Sequence, residues 1–391
     1  MSSSYVESGL KVAWLGSVID SRAVSKNRAI SLAASYWQGG FIEALESLSV
    51  KTITISTMPH RAFPFGPFMV KPNIDDFINS DCVLYDYLNM KGLRERSKSR
   101  GIQRSLALLN DIDAIVSYNL FRECREAAAK FSRQHQVPWI EVCADAWESD
   151  PGWERLFDEV KLPDGYVFLS SDAYERCPVD NKILIHGGVP VRSKLDNFNA
   201  LRIWPVKGNE SVVFLYSGSF EYWSGLTLLL RAFISLPSDE AVSLVICGYG
   251  SLSDLDRRLI ESDSRVQFLG TVSKSDLQGL SEKADILVNP RPVIPENVFN
   301  FPSKLLEYMS YQKVIVSTKT PGIPDSFSKM MILTTGSPDD LKAGLLQAAQ
   351  MTEEQRRPIL DQLAIYSTTH AWAHEAERLI SFINTLKLEL S

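Results

Sequence analysis

Short runs of apolar and β-branched residues alternate along this chain with longer segments in which apolar residues recur at helical spacing. The run LKVAWLG is followed by a helical segment from Ile30 to Leu48 and then by VKTITIS. Such alternation predicts parallel strands joined by helical crossovers, because parallel neighbours need a long connection. Ligands are then expected above the carboxyl ends of the strands.

The alternation occurs in two series, separated by a polar segment rich in Pro and Gly that follows HGGVP (186–190). A chain of 391 residues is also too long for one compact core. We therefore expect two doubly wound α/β domains, residues 1–200 and 205–371. The last segment, about 372–391, has a helical pattern with no strand after it. It either caps the second domain or crosses back to the first.

Composition favours a soluble protein that acts on small molecules. The formal net charge of −6 argues against a dedicated nucleic-acid binder. Five scattered cysteines without a CxxC pair predict buried free thiols in a reducing compartment. The first residues lack the pattern of a signal peptide, and no run reaches membrane-spanning length. We expect a cytoplasmic protein.

The stretch from Ala284 to Thr318 reads as strand, polar loop, helix and strand, with charged residues around the helix start. Arg291, Lys304 and Glu307 lie where an open parallel sheet binds its ligand. A phosphate and its sugar fit this set of side chains.

Several segments resemble retaining glycosyltransferases of the GT-B architecture, and more narrowly the family 4 group, which uses nucleotide-diphosphate sugars. They are YSGSF (216–220), ICGYG (246–250), VQFLGTVS (266–273) and FPSKLLEYMS (301–310). Weaker similarity in the first half involves WLGS, FLSSDAYE and IHGGVP. The resemblance implies two Rossmann-like domains facing across a cleft, with the donor bound mainly by the second domain and the acceptor by the first.

The family marker is a pair of glutamates separated by seven residues. Glu307 occupies the second position, and the first falls on Phe299. The resemblance implies that Glu307 accepts hydrogen bonds from both ribose hydroxyls, since a carboxylate offers two oxygens to a vicinal diol. Glu296, three residues before Phe299, is the expected substitute for the carboxylate that touches the donor sugar. A helix-surface carboxylate is the alternative interpretation of Glu307.

Charge neutralisation also departs from the family pattern. Members often hold the diphosphate with an Arg and a Lys in the loop after the first strand of the second domain, where this chain has Ser219 and Ser224. We expect Arg291 and Lys304, as catalytic residues, to stabilise the negative charge that grows on the departing phosphate, together with backbone N–H groups at the helix start. Two solvated surface cations are the alternative.

Backbone positions complete the expected donor site. Gly218 and Ser219 allow the chain to pass close to a phosphate, and the base is expected to rest near Val272. Gly16, after the first strand, would approach the diphosphate from the opposite side. Ordinary turn geometry explains these glycines equally well.

Asp145, at the end of PWIEVCADAWESD in the first domain, is the candidate for contact with the donor sugar or the acceptor hydroxyl. Glu148 follows in the same segment. A capping Asp at a strand-to-helix turn is an equally good explanation.

Two Asp-x-Asp pairs have the spacing of a metal motif from another glycosyltransferase architecture. Asp111 and Asp113 precede a strand, and Asp254 and Asp256 fall in a helix, so neither pair is placed above a strand's carboxyl end. We expect no metal and no cofactor other than the donor substrate.

Residues Lys91 to Arg104 carry six cations and one anion, and the loop 60–72 carries three Phe and a Met among prolines. Basic and apolar residues together predict peripheral contact with an anionic membrane, at its inner face, to reach a lipid-linked acceptor. A solvated helix face and a loop packed on its own domain are the alternatives.

The resemblance implies a hexosyltransferase-type enzyme that transfers sugar from a UDP- or GDP-sugar to a glycan, lipid-linked or other hydroxyl acceptor in polysaccharide or glycoconjugate biosynthesis. A non-catalytic partner protein with the same fold is one alternative. A sugar-nucleotide epimerase of that fold is another, and it would convert a sugar nucleotide without an acceptor.

Overall fold

The computed structural model describes residues 9–20, 31–78, 81–119, 122–144, 163–192 and 211–390. These residues form two compact units, each built on its own parallel sheet. The first unit contains the described residues up to 144, those from 163 to 188, and 370–390. The second unit contains 189–192 and 211–369.

Nine strands belong to the first unit. They are β1 (Lys11–Leu15), β2 (Lys51–Ser56), β3 (Met69–Val70), β4 (Cys82–Leu84), β5 (Tyr87–Leu88), β6 (Ala114–Tyr118), β7 (Trp139–Cys143), β8 (Gly165–Phe168) and β9 (Lys182–Leu184). Seven form a parallel sheet in the order β4-β2-β1-β6-β7-β8-β9, and β3 pairs antiparallel with β5. Strand order reverses between β1 and β6, as in a doubly wound sheet.

The helices between these strands are α1 (Leu32–Ser47), α2 (Arg94–Leu106), α3 (Arg122–His135) and α4 (Ser171–Arg176). Helix α1 begins at the cap residue Ser31, whose hydroxyl accepts a hydrogen bond from the backbone N–H of Ala34 at 3.2 Å. Strand β7 is buried along its whole length, as expected for a parallel strand covered on both faces.

Six strands form the sheet of the second unit: β10 (Val212–Ser219), β11 (Val242–Tyr249), β12 (Val266–Gly270), β13 (Ile286–Asn289), β14 (Val314–Thr318) and β15 (Ile332–Thr334). Their order is β12-β11-β10-β13-β14-β15, and all neighbours are parallel. The order reverses between β10 and β13, which makes their carboxyl ends the expected ligand position.

The helices of the second unit are α5 (Leu226–Ile234), α6 (Asp254–Ser262), α7 (Lys274–Lys283), α8 (Lys304–Met309), α9 (Pro338–Gln350) and α10 (Glu353–Thr369). Helices α6, α7 and α9 begin in the same way, with a Ser whose hydroxyl accepts from the backbone N–H of the Asp three residues later. This S-x-x-D spacing is visible in the sequence and fixes each start locally.

The last helix, α11 (Trp372–Leu390), packs on α1 of the first unit. Its Trp372 ring meets Phe41 edge-on, with centroids 5.3 Å apart, and Trp37 at 6.4 Å. A Cβ at Gly188 would lie 2.4 Å from Trp372, so a glycine is needed there. Lys387 also pairs with Asp113 at 2.6 Å. The final helix is therefore part of the first unit.

No helix in the described part of the chain is long and apolar enough to cross a membrane. All five cysteines are free, as expected; four are buried and Cys82 is half-buried.

Candidate functional site

Lys304 and Glu307 meet on the first turn of α8, with Nζ of the lysine 2.8 Å from Oε2 of the glutamate. Each side chain is a little under one-third exposed, so both remain accessible to a ligand. Burial raises the pKa of the Cys247 thiol to about 11 and the charge of Lys304 opposes that rise, which places the ammonium near β11. Because α8 has only six residues, its dipole adds less than the sequence suggested, and side chains must supply most of the positive charge.

Arg192 is a second cation beside Glu307, and its position there was not predicted from the sequence. Its guanidinium lies 4.0 Å from Oε1 of Glu307 and donates to the hydroxyl of Ser310 at 2.5 Å. The guanidinium also stacks on Tyr311, 3.3 Å from the ring centroid. Arg192 belongs to no local motif and reaches the site only through the fold.

Arg291 follows β13 and donates from Nη1 to Oδ1 of Asn300 at 2.9 Å. The Asn300 amide in turn donates to the backbone carbonyl of Glu296 at 2.7 Å. Burial raises the pKa of Tyr249, and the nearby Arg291 charge opposes that rise. Arg291 therefore lies close to the carboxyl end of β11, held by a loop that is itself hydrogen-bonded.

Glu296 lies on a short 3-10 turn and accepts a hydrogen bond from the hydroxyl of Tyr222, which lowers the pKa of the glutamate. Beside it, buried Asn297 donates to the carbonyls of Trp223 and Pro292, both at 2.9 Å. These contacts fasten the loop after β13 to the turn after β10.

Phe299, at the first position of the glutamate pair, is only 2% exposed. A carboxylate there would have to be buried, which costs several kcal/mol unless it is paired. The side chain at 299 therefore packs in the core, whereas the Glu296 side chain lies one turn earlier at the surface.

Ser219 and Ser224, where the family often has two cations, bond to each other with hydroxyls 2.5 Å apart. The pair is neutral and partly exposed. The hydroxyl of Tyr216 donates to the carbonyl of Ser219 at 2.6 Å and so fixes the end of β10.

Gly218 pairs in register with Gly248 at the ends of β10 and β11. A Cβ on Gly248 would lie 1.7 Å from the carbonyl oxygen of Gly218, and Gly248 has φ +154°. The closest backbone approach at this edge therefore requires glycine at 248 more than at 218. Val272 is half-buried in the following turn, where Thr271 donates to the carbonyl of Gly248 at 2.9 Å.

Gly16 belongs to the first unit, and the Gln38 side chain occupies the space beside it: a Cβ at Gly16 would lie 1.9 Å from Oε1 of Gln38. That oxygen accepts from the indole N–H of Trp14 at 3.1 Å. The glycine has a packing role against α1. Asp145 and Glu148 lie outside the described residues.

The two Asp-x-Asp pairs contain side chains with structural partners. Asp113 accepts from the backbone N–H of Lys11 at 2.8 Å, and buried Asp256 accepts from Thr227 at 2.6 Å. Within the described ranges, no group of three or more His, Cys, Asp or Glu side chains is placed to hold a metal ion.

The arrangement brings Arg291, Lys304 and Glu307 near the carboxyl edge of the second sheet, and Arg192 reaches Glu307 from beside the end of α8. Lys304 and Arg192 contact Glu307 directly, and Arg291 joins the Glu296 loop through Asn300. Partly exposed cations can bind phosphate oxygens, and a carboxylate can accept from paired hydroxyls.

Residues 211–351 match the model of the family described as Glycosyl transferases group 1. The matched segment contains Arg291, Lys304 and Glu307, whereas Arg192 precedes it. A comparison with curated proteins found no match.

Three solved structures illustrate the likeness of fold. HepE of Anabaena, in complex with UDP, superposes with a TM-score of 0.69 at 15% identity, covering 96% of this chain and 100% of that chain. Trehalose 6-phosphate synthase from Burkholderia multivorans has a TM-score of 0.61 at 13% identity, covering 98% and 100%. A proposed UDP-N-acetylglucosamine 2-epimerase from Listeria monocytogenes has a TM-score of 0.58 at 13% identity, covering 97% of each chain. The predicted α/β fold with two Rossmann-like domains of the GT-B type is confirmed.

Proposed function

We propose that the chain is a retaining glycosyltransferase, similar to family 4, that transfers a hexosyl group from a UDP- or GDP-sugar to a hydroxyl acceptor. The observation that carries the proposal is the ion pair of Lys304 and Glu307, which lies in the segment that matches the group 1 glycosyltransferase family, with Arg192 beside Glu307. UDP is bound by HepE of Anabaena, which shares the fold.

In this proposal the charged pair opens when the donor binds. Glu307 turns from Lys304 to the two ribose hydroxyls, and Lys304 turns to the diphosphate with Arg291. Both cations then lower the energy of the transition state, where negative charge builds up on the leaving phosphate. Because side chains supply the positive charge, the proposal requires no metal.

The remaining proposed contacts complete the donor and acceptor sites. Gly218, Ser219 and Val272 line the donor through the backbone, and Glu296 contacts the donor sugar. From the first domain (1–200), Gly16 approaches the diphosphate and Asp145 contacts the sugar or acceptor. The acceptor is a glycan or lipid-linked hydroxyl in polysaccharide or glycoconjugate biosynthesis, reached from the cytoplasm.

Nucleotide binding tests the proposal directly. We expect UDP or GDP to raise the melting temperature and Glu307→Gln to weaken nucleotide binding by about tenfold, since a hydrogen bond to a charged group contributes roughly 1.5–3 kcal/mol. The effect should largely vanish with a 2′,3′-dideoxy nucleotide, which lacks the diol. Glu261→Gln, an exposed glutamate on α6, is the matched control.

Three results would contradict the proposal. They are no stabilisation by either nucleotide, nucleotide binding without any consumption of UDP- or GDP-sugars across an acceptor screen, and conversion of a sugar nucleotide without an acceptor. The second would indicate a non-catalytic partner protein, and the third an epimerase.

A further inference from the structure

The loop of residues 61–69 in the first unit exposes an unusual amount of apolar side chain. Phe65 is 84% exposed, and three neighbouring side chains are each about half exposed: Phe63, Phe68 and Met69. Single exposed apolar residues are common on protein surfaces, but a contiguous group marks an interaction site.

The backbone of this loop is held firmly while its aromatic side chains face solvent. Asn89 is fully buried, and its amide donates to the carbonyls of Arg61 at 2.6 Å and Pro67 at 2.9 Å. Its backbone N–H and C=O also bond to Phe68 and Phe63, at 2.8 and 2.9 Å. The exposed aromatic side chains are therefore attached to a backbone that is preorganised by a buried amide.

Cations flank the loop in a protein with a net charge of −6. Arg61 and Lys91 are exposed, and half-buried Arg94 lies 5.9 Å from the Tyr87 ring. Lys98 differs from them, because it is only 8% exposed and pairs with Glu95. The basic segment 91–104 is thus not a uniform solvated face, and its first turn lies beside the strand that contacts the loop.

We propose that loop 61–69 inserts its aromatic side chains into the headgroup region of an anionic lipid bilayer, with Arg61 and Lys91 on the lipid phosphates. Apolar side chains supply burial and the local positive charge supplies attraction, a combination that suits a negatively charged interface. The next turn carries exposed Asp75, so the docking face is confined to the loop and the start of α2.

Flotation with lipid vesicles tests this inference. We expect binding to vesicles that contain phosphatidylglycerol, little binding to vesicles of phosphatidylcholine alone, and loss of binding at high salt. Phe65→Ser should reduce the partition coefficient by about tenfold or more. Arg61→Gln or Lys91→Gln should each reduce it by roughly fivefold at low salt.

Two further variants distinguish insertion of the loop from nonspecific adsorption through exposed apolar side chains and from misfolding. Leu108→Ser removes an apolar side chain that is 71% exposed in the same unit but outside the loop, and vesicle binding should not change. Asn89→Ser leaves every exposed side chain in place but releases the loop backbone, and should weaken binding while circular dichroism shows a folded protein.

Equal binding of wild type and Phe65→Ser to anionic vesicles would overturn the inference. The inference would also be overturned if the wild type did not bind vesicles but self-associated, and Phe65→Ser abolished that self-association. The loop would then be a protein interface. No donor or acceptor takes part in these assays, so their failure is distinguishable from failure of the proposed function.

Discussion

The carboxyl edges of the two sheets differ although both sheets are doubly wound. In the first unit, the space at the carboxyl end of β1 is occupied by hydrogen bonds and side chains of the same unit. Ser17 donates to the carbonyl of Thr57 at 2.8 Å, Ser56 donates to the carbonyl of Gly16, and Gln38 fills the space beside that glycine. In the second unit, the corresponding edge presents partly exposed, charged side chains.

This difference shows that strand order determines where a ligand is expected, but not whether the side chains at that edge can bind one. The group 1 glycosyltransferase match is to residues of the second unit alone. Substitutions can therefore change the charged side chains at the edge of the second sheet without changing the packing at the edge of the first.

The largest expected effect is on catalysis at the second edge. Lys304→Ala should lower kcat by roughly 10²- to 10³-fold with a smaller change in KM, because removing one preorganised charge-stabilising group from a transition state costs about 3–4 kcal/mol. Steady-state kinetics with the donor identified by the nucleotide screen measures this.

Lys274→Ala, an exposed lysine on α7, should leave both constants unchanged. Full activity of a folded Lys304→Ala variant would mean that the charged edge has no catalytic role.

The second effect is on the stability of the first unit at acid pH. His186 is buried, its Nδ1–H donates to the carbonyl of Leu169 at 2.6 Å, and burial lowers its pKa from 6.5 to about 4. The unfolded chain thus binds more protons between these values, so the free energy of unfolding should fall as pH drops from 6.5 towards 4, by on the order of 2–3 kcal/mol. About one pH unit above 6.5 and higher, this group should contribute almost no pH dependence, because the unfolded imidazole is then also neutral.

Urea unfolding followed across this pH range provides the measurement. In His186→Gln the slope of stability against pH should be shallower than in wild type, although carboxylates add their own slope to both proteins. Parallel curves for the two proteins would show that His186 is not buried in its neutral form.

The smallest effect is the difference in stability between variants of two glycines, one from each edge. Gly248→Ala should destabilise the protein by roughly 2–3 kcal/mol, because the new Cβ would meet a fixed backbone carbonyl at a positive φ. Gly16→Ala should cost less, about 1 kcal/mol, since the Cβ would meet the end of the Gln38 side chain, which can shift.

Thermal unfolding and nucleotide binding distinguish the two glycines. Gly248→Ala should also weaken nucleotide binding, and by more than Gly16→Ala, because it displaces backbone at the carboxyl ends of β10 and β11 whereas Gly16→Ala displaces a side chain. A greater loss of stability in Gly16→Ala than in Gly248→Ala would contradict this difference between the edges of the two sheets.

The fold followed from local sequence patterns, and so did the placement of Lys304 and Glu307 on one helix. Strand and helix periodicities depend on neighbours a few residues apart, and so does the Lys304–Glu307 pair, which is three residues apart on one helix. Arg192 was not predicted, because its contacts with Ser310 and Tyr311 join distant parts of the chain.

The direction in which a side chain points could not be predicted from the sequence either. Motif spacing placed Phe299 at a ligand position, but whether a side chain in an irregular loop points inward depends on the whole loop, which here buries Phe299. The importance of Gly248 relative to Gly218 likewise depends on strand register.

Helix α11 has a consequence for how the polypeptide matures. The first unit is assembled from residues on both sides of the second, and Trp372 fills a space between α1 and Gly188. During synthesis this helix leaves the ribosome only after the whole second unit. The first unit therefore cannot complete its core until its closing helix has followed the whole second unit out of the ribosome.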